Sequence, residues 1–149
     1  MSKVKIGKKP KVSLKDILDK ETPEAKCPSF SFSYLTKNKS YNFRHFEKVC
    51  NIRQEAEVYR QLDKLLLDLS INRWVDIICR DKEGFGGYES LTYDRLYFSP
   101  NNLPLSSDTK ISVIRFGNDD AYRLIGYWKN PTLYILGYDF NHSAYDHGS

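Results

Sequence analysis

The apolar positions along this chain follow two rhythms. In "SFSFSYL" (29–35) they alternate, with Phe30, Phe32 and Tyr34 on one side and serines on the other, which predicts a half-buried strand. From about Tyr41 to Ser70 the spacing becomes helical. Tyr59, Leu62, Leu65, Leu66 and Leu69 form one apolar stripe, read as core packing. Ser40 is the expected first cap. A break is expected near Asn51, which offers a second cap with Gln54 three residues on. "SLKDILDK" (13–20) predicts a short helix capped by Ser13. "INRWVDIICRDK" reads equally as a short helix or a strand.

The last 40 residues return to the strand rhythm three times. "KISVIRF" and "AYRLIGYW" are separated by "GNDD", where Gly117 and Asn118 tolerate positive φ. Lys129-Asn130-Pro131 then leads into "TLYILGYDF". Links this short make consecutive strands antiparallel neighbours. Alternation puts Arg123, Ile125 and Tyr127 on one side and Tyr122, Leu124, Gly126 and Trp128 on the other. It likewise opposes Tyr134, Leu136, Tyr138 and Phe140 to Leu133, Ile135, Gly137 and Asp139. The segment between, 80–108, reads as loop, broken by Gly84, Gly86 and Gly87 and closed by Pro100 and Pro104. The glycines lack the spacing of a phosphate loop. The expected fold class is α+β, with helices on one face of a small antiparallel sheet in the order β-α-(α)-β-β-β. The other sheet face is left free for binding.

Length and composition fit one domain. Of 149 residues, 40% are hydrophobic and 14% aromatic, enough for a core. The net charge of +4 is uneven: residues 1–15 hold six lysines and no acid, so the remainder carries −2. Residues 1–12 are therefore expected to be a flexible basic arm before a single domain over 13–149. Cys27, Cys50 and Cys79 are widely spaced, without the pattern of a disulfide framework or a zinc site. No signal-like or membrane-length apolar run occurs, so the expected location is the cytoplasm, with no membrane partner.

The chemistry is concentrated at the end. Arg115 and Arg123 interrupt apolar strands, a costly placement unless the charge is wet or paired. A guanidinium pairs with phosphate in a fixed fork, and aromatic rings stack on unpaired bases. His or Tyr can move the proton of a 2′-hydroxyl in cleavage without metal or other cofactor. A structural alternative remains open: an edge Arg paired with Asp119 or Asp120, and Tyr as strand filler. Asp139, His142, Asp146 and His147 are also close enough in sequence to chelate a divalent ion, but one short segment seldom completes a site, and no metal is expected.

The stretch "ISVIRFGNDDAYRLIGYWKNPTLYILGYDFNHSAYDHG" resembles the C-terminal half of the RelE/ParE toxins. Those carry a basic strand, a short turn, "YRL" in the next strand, a third strand and a polar segment ending in Tyr. The resemblance implies a helical pair packed on a small antiparallel sheet. It implies that Arg123 binds phosphate at the cleaved site, with Arg115 the basic residue of the preceding strand. It makes His142 the polar catalytic group and Tyr145 the terminal Tyr. Lys110, Tyr127 and Lys129 are the accompanying candidates for RNA contact. The implied function is a metal-independent endoribonuclease of the mRNA-interferase type, acting on free or ribosome-associated RNA and held in check by a cognate antitoxin. The ParE branch keeps the fold and acts on gyrase. Residues 108–149 hold four basic and five acidic side chains, and RNA surfaces are usually positive. This keeps a second expectation open: a non-enzymatic phage or mobile-element protein that inhibits a host protein.

Overall fold

A computed structural model describes residues 25–49, 51–118 and 121–146. The basic arm, the helix expected over 13–20, Cys50, Asp119, Asp120 and His147 lie outside the described residues. The architecture is α+β. Five strands, β1 (Ser29–Ser31), β2 (Tyr88–Thr92), β3 (Lys110–Phe116), β4 (Tyr122–Lys129) and β5 (Thr132–Asp139), form one sheet in the order β1-β5-β4-β3-β2. Three helices, α1 (His45–Val49), α2 (Ile52–Ser70) and α3 (Trp74–Ile78), lie between β1 and β2 in sequence.

The sheet is mixed, which corrects the all-antiparallel expectation. β1 pairs in parallel with β5, and the other pairs are antiparallel. The chain returns from β1 through the helices, and only such a long crossover permits a parallel pair. β1 is also shorter than expected. Phe30 packs on the helix-side core, Phe32 is exposed, and Tyr34 packs on the opposite side, so the three do not share one face.

Asn51 caps α2 as expected, its Oδ1 accepting the Gln54 backbone N–H at 3.0 Å. Upstream, Asn38 rather than Ser40 is the cap. It starts one turn of 3-10 helix at Lys39–Tyr41 and accepts from Ser40 N. Val58, Leu62, Leu65 and Leu69 of α2 are buried against Ile114, Phe116, Leu124, Leu133 and Ile135. Tyr59, expected in this stripe, is half exposed and stacks on Phe43 at 4.0 Å. Residues 74–78 resolve the helix-or-strand alternative in favour of helix.

The second sheet face is not free. Leu91, Ile111, Val113, Ile125 and Leu136 lie under Tyr41, Phe98, Ala144 and Tyr145. The segment expected to be all loop contributes β2 and then folds residues 93–109 across this face. Its apolar side chains Phe98, Leu103 and Leu105 find their burial there. Phe98 and Tyr41 stack at 4.8 Å over Gly137, where a Cβ would stand 2.7 Å from the Phe98 ring.

A bulge decides which residues face which way. The β4–β5 register shifts at Ile125/Gly126, pairing Ile125 with Gly137 but Gly126 with Ile135. Strict alternation fails there. Leu133, Ile135, Tyr138 and Phe140 join the helix-side core, while Leu136 joins the other. Among the described residues no helix is long and apolar enough to cross a membrane.

Candidate active site

The two arginines that broke the apolar strands stand directly opposite each other. Arg115 of β3 pairs in register with Arg123 of β4, and Arg123 with Asp139 of β5. Residues directly opposite on antiparallel strands share a face, so all three point away from the helices. The turn at Gly117, at φ 91°, starts this register. A Cβ on Gly117 would strike the Tyr122 ring, so glycine is required there twice over.

The arginines then diverge. Arg123 is only 4% exposed, and its Nη1 donates to the Tyr122 carbonyl at 3.3 Å. A cation buried this deeply needs a counter-charge, and the fully buried carboxylate of Asp139 stands directly across from it in register. Arg115 keeps partial access to solvent. Its Nη1 lies 3.2 Å from Glu83 Oε1, an exposed partner. Its Nε is buried and has no hydrogen-bond partner among the described residues.

Asp139 also builds the tail. Its carboxylate accepts backbone N–H groups from Asn141 (3.2 Å), Ser143 (3.0 Å) and Ala144 (3.2 Å). This folds the chain back beneath β5 and delivers Tyr145 against Leu96 in a one-residue antiparallel bridge. The Tyr145 hydroxyl then donates to Glu89 Oε2 at 2.9 Å. Burial and the neighbouring Glu89 carboxylate push the Tyr145 pKa up to about 12, against a smaller opposing pull from Arg123. The phenol is therefore a proton donor throughout the neutral range, with Glu89 as its acceptor.

These groups line a cavity of about 190 Å³ with Lys82, Arg95, Arg115, Glu89, Tyr145 and Asp146 on its walls. Three cations face two carboxylates there. Lys82, Arg95 and Glu89 arrive from outside residues 108–149, and Glu83 pairs with Arg115 from beyond the lining. Arg95 Nη2 donates to the Asp146 carbonyl at 3.3 Å, tying the tail to the cavity rim.

The other expected residues lie elsewhere. His142 sits on the exposed turn after β5 at φ 62° and is not among the residues lining this cavity. Lys110 and Tyr127 line a larger cleft at the opposite end of β3 and β4, and Lys129 and Tyr127 line a third, smaller one beside Tyr34 and Tyr134. Five steps along the strand separate Lys110 from Arg115, roughly 17 Å at the usual rise. The expected RNA contacts and the expected catalytic group thus divide into two sites. Among the described residues no group of three or more His, Cys, Asp or Glu is placed to hold a metal ion.

Comparison with protein-family models, curated proteins and solved structures finds no match to this chain. The site therefore rests on its own geometry. Glu89, Lys82 and Arg95 were missed from the sequence because 80–108 read as loop. The signal was present: "YESLT" alternates Tyr88, Ser90 and Thr92 against Glu89 and Leu91 and is rich in strand formers.

Proposed function

We propose that the protein is a metal-independent RNA endonuclease of the mRNA-interferase type, with its reacting centre in the Arg115–Glu89–Tyr145 cavity. The observation that carries this reading is the hydrogen-bonded Glu89–Tyr145 pair beside Arg115, whose buried Nε–H lacks a partner among the described residues. A phosphate oxygen would accept from that Nε–H, and Arg95 and Lys82 add charge for the phosphorane formed in the reaction.

In this reading Glu89 takes the proton of the 2′-hydroxyl. The 2′-oxygen bonds to phosphorus, the bond to the 5′-oxygen breaks, and the leaving oxygen takes the Tyr145 proton. Products are a 2′,3′-cyclic phosphate and a 5′-hydroxyl. Proton transfer from Glu89 to the Tyr145 phenolate across their hydrogen bond restores both groups. Arg123 acts as a positioning residue, lowering the cost of charge on Tyr145. The decisive comparison is cleavage of a labelled RNA by the wild type and Arg115→Ala. The variant should be slower by about 10²–10³-fold, the usual effect of removing one donor to the transition-state charge. Equal rates would refute the assignment.

A second reading, a non-enzymatic inhibitor of a host protein, has one observation in its favour. Ile52 and Leu67 of α2 and Ile71 at its C-cap are 81%, 63% and 68% exposed, and side chains of that kind on an outer face suit a protein partner, an antitoxin included. A stoichiometric complex captured by the wild type but not by Leu67→Glu, with RNA left intact, would favour it.

A further inference from the structure

Both tryptophans of the chain meet in the larger cleft. Its volume is about 610 Å³, within the ~300–1,000 Å³ of small-ligand sites. Trp74, at the start of α3, stacks on Trp128 of β4 with ring centroids 4.3 Å apart and planes 10° from parallel. Tyr88 meets Trp74 edge-on at 5.8 Å.

The sheet floor changes character here. Along β3 the helix-facing row runs Phe116, Ile114, Ser112, Lys110. The first two are buried in the core beneath the helices, and the row turns polar at the cleft. Ser112 is itself buried, with its Oγ 2.9 Å from the Tyr88 hydroxyl. Ser90 stands directly across from it on the edge strand β2. Thr109 and Tyr127 add further hydroxyls, and Lys110 is the one charged residue of the lining, with no carboxylate. Ser112, buried where a core strand would carry Val or Ile, is held by its hydrogen bond to Tyr88, and the exposed Ser90 beside it keeps its hydroxyl open to the cleft. This composition suits a ligand with a flat apolar ring, hydrogen-bonding edges and negative charge.

We propose that this cleft binds a nucleotide. The base lies against the aromatic wall, Ser90, Ser112 and Tyr88 bond its edge, and Lys110 receives the phosphate. Ser90 of edge strand β2 lines both this cleft and the Arg115 cavity, which lie on opposite faces of the sheet. As the subsite for a nucleotide flanking the cleaved phosphate, the cleft rests on the endonuclease reading; as a nucleotide site it does not.

Because the only two tryptophans are here, their fluorescence reports this cleft alone. The wild type is titrated with adenosine and guanosine 5′-monophosphates, with the free nucleosides, and with glucose. Saturable quenching by the monophosphates is expected, with weaker quenching by nucleosides and none by glucose. Lys110→Ala should weaken monophosphate affinity about fivefold, in keeping with one exposed charge contact, and leave nucleoside affinity unchanged. Ser112→Ala should weaken both. Absence of saturable quenching, equal quenching by glucose, or unaltered affinity in both variants would overturn the proposal. Glu89→Gln should leave the titration as it is in the wild type. Quenching without RNA cleavage by the wild type would retain the nucleotide site and remove the endonuclease; cleavage without quenching would do the reverse.

Discussion

At the scale of single residues, Asp139 does the most. It stands across from a buried arginine and accepts three backbone N–H groups that fold the tail back. Asp139→Asn removes the charge and one accepting oxygen together. If Asp139 is the counter-charge of Arg123, breaking that buried pair from one side costs roughly 3–5 kcal/mol, and urea unfolding should show a loss of that order. A loss under about 1 kcal/mol, the size of a surface pair, would mean that Asp139 is not the counter-charge of Arg123. Tyr145 makes a separate prediction. Folded, it holds its proton up to about pH 12, against 10.0 for a free tyrosine, so the folded state binds that proton more tightly. The resulting stabilisation is complete below pH 10 and lost as the pH rises through 12. The denaturant midpoint should therefore fall across this window, and fall less in Tyr145→Phe. Equal slopes in the two proteins would count against the Tyr145–Glu89 contact.

At the scale of elements, α2 is where local signal and tertiary outcome agree best. The Asn51 cap and the Leu62, Leu65, Leu69 stripe were readable because a cap and a 3.6-residue period are local properties. Leu65 is fully buried and Ile52 fully outside, so Leu65→Ala should cost ~2–5 kcal/mol and Ile52→Ala under about 0.5 kcal/mol in thermal or urea unfolding. Similar costs would contradict the assigned helix face. The sheet was readable only in part. β3, β4 and β5 announce themselves through alternation and short turns, but the register that sets Arg115 opposite Arg123 is not written in either strand and comes only from the structure. The bulge at Leu136/Gly137 was not readable, because an extra residue leaves no local mark and silently reverses the faces beyond it. β2 was hidden among glycines and tyrosines, and with it went Glu89, the acceptor of the Tyr145 proton. The parallel β1–β5 pair and the lid formed by 93–109 depend on contacts far apart in sequence, which no local pattern encodes.

At the scale of the whole molecule, the fold turns one amphipathic sheet into a three-layer arrangement. Helices cover one face, and the 93–109 segment with the tail covers the other. What remains open lies at the ends of β3 and β4 and along edge strand β2, which is where both clefts lie. One cleft gathers cations with a proton donor and acceptor, the other aromatic rings with hydroxyls. The endonuclease reading requires the first of these to react with RNA. The measurement that tests it most directly is incubation of end-labelled RNA with the wild type and Glu89→Gln in the presence of EDTA, with the product ends analysed. The account predicts cleavage by the wild type to 2′,3′-cyclic phosphate and 5′-hydroxyl ends, slowed about 10²–10⁴-fold in Glu89→Gln, the range for loss of a general base. Intact RNA with the wild type, or a Glu89→Gln protein that cleaves at the wild-type rate, would contradict it.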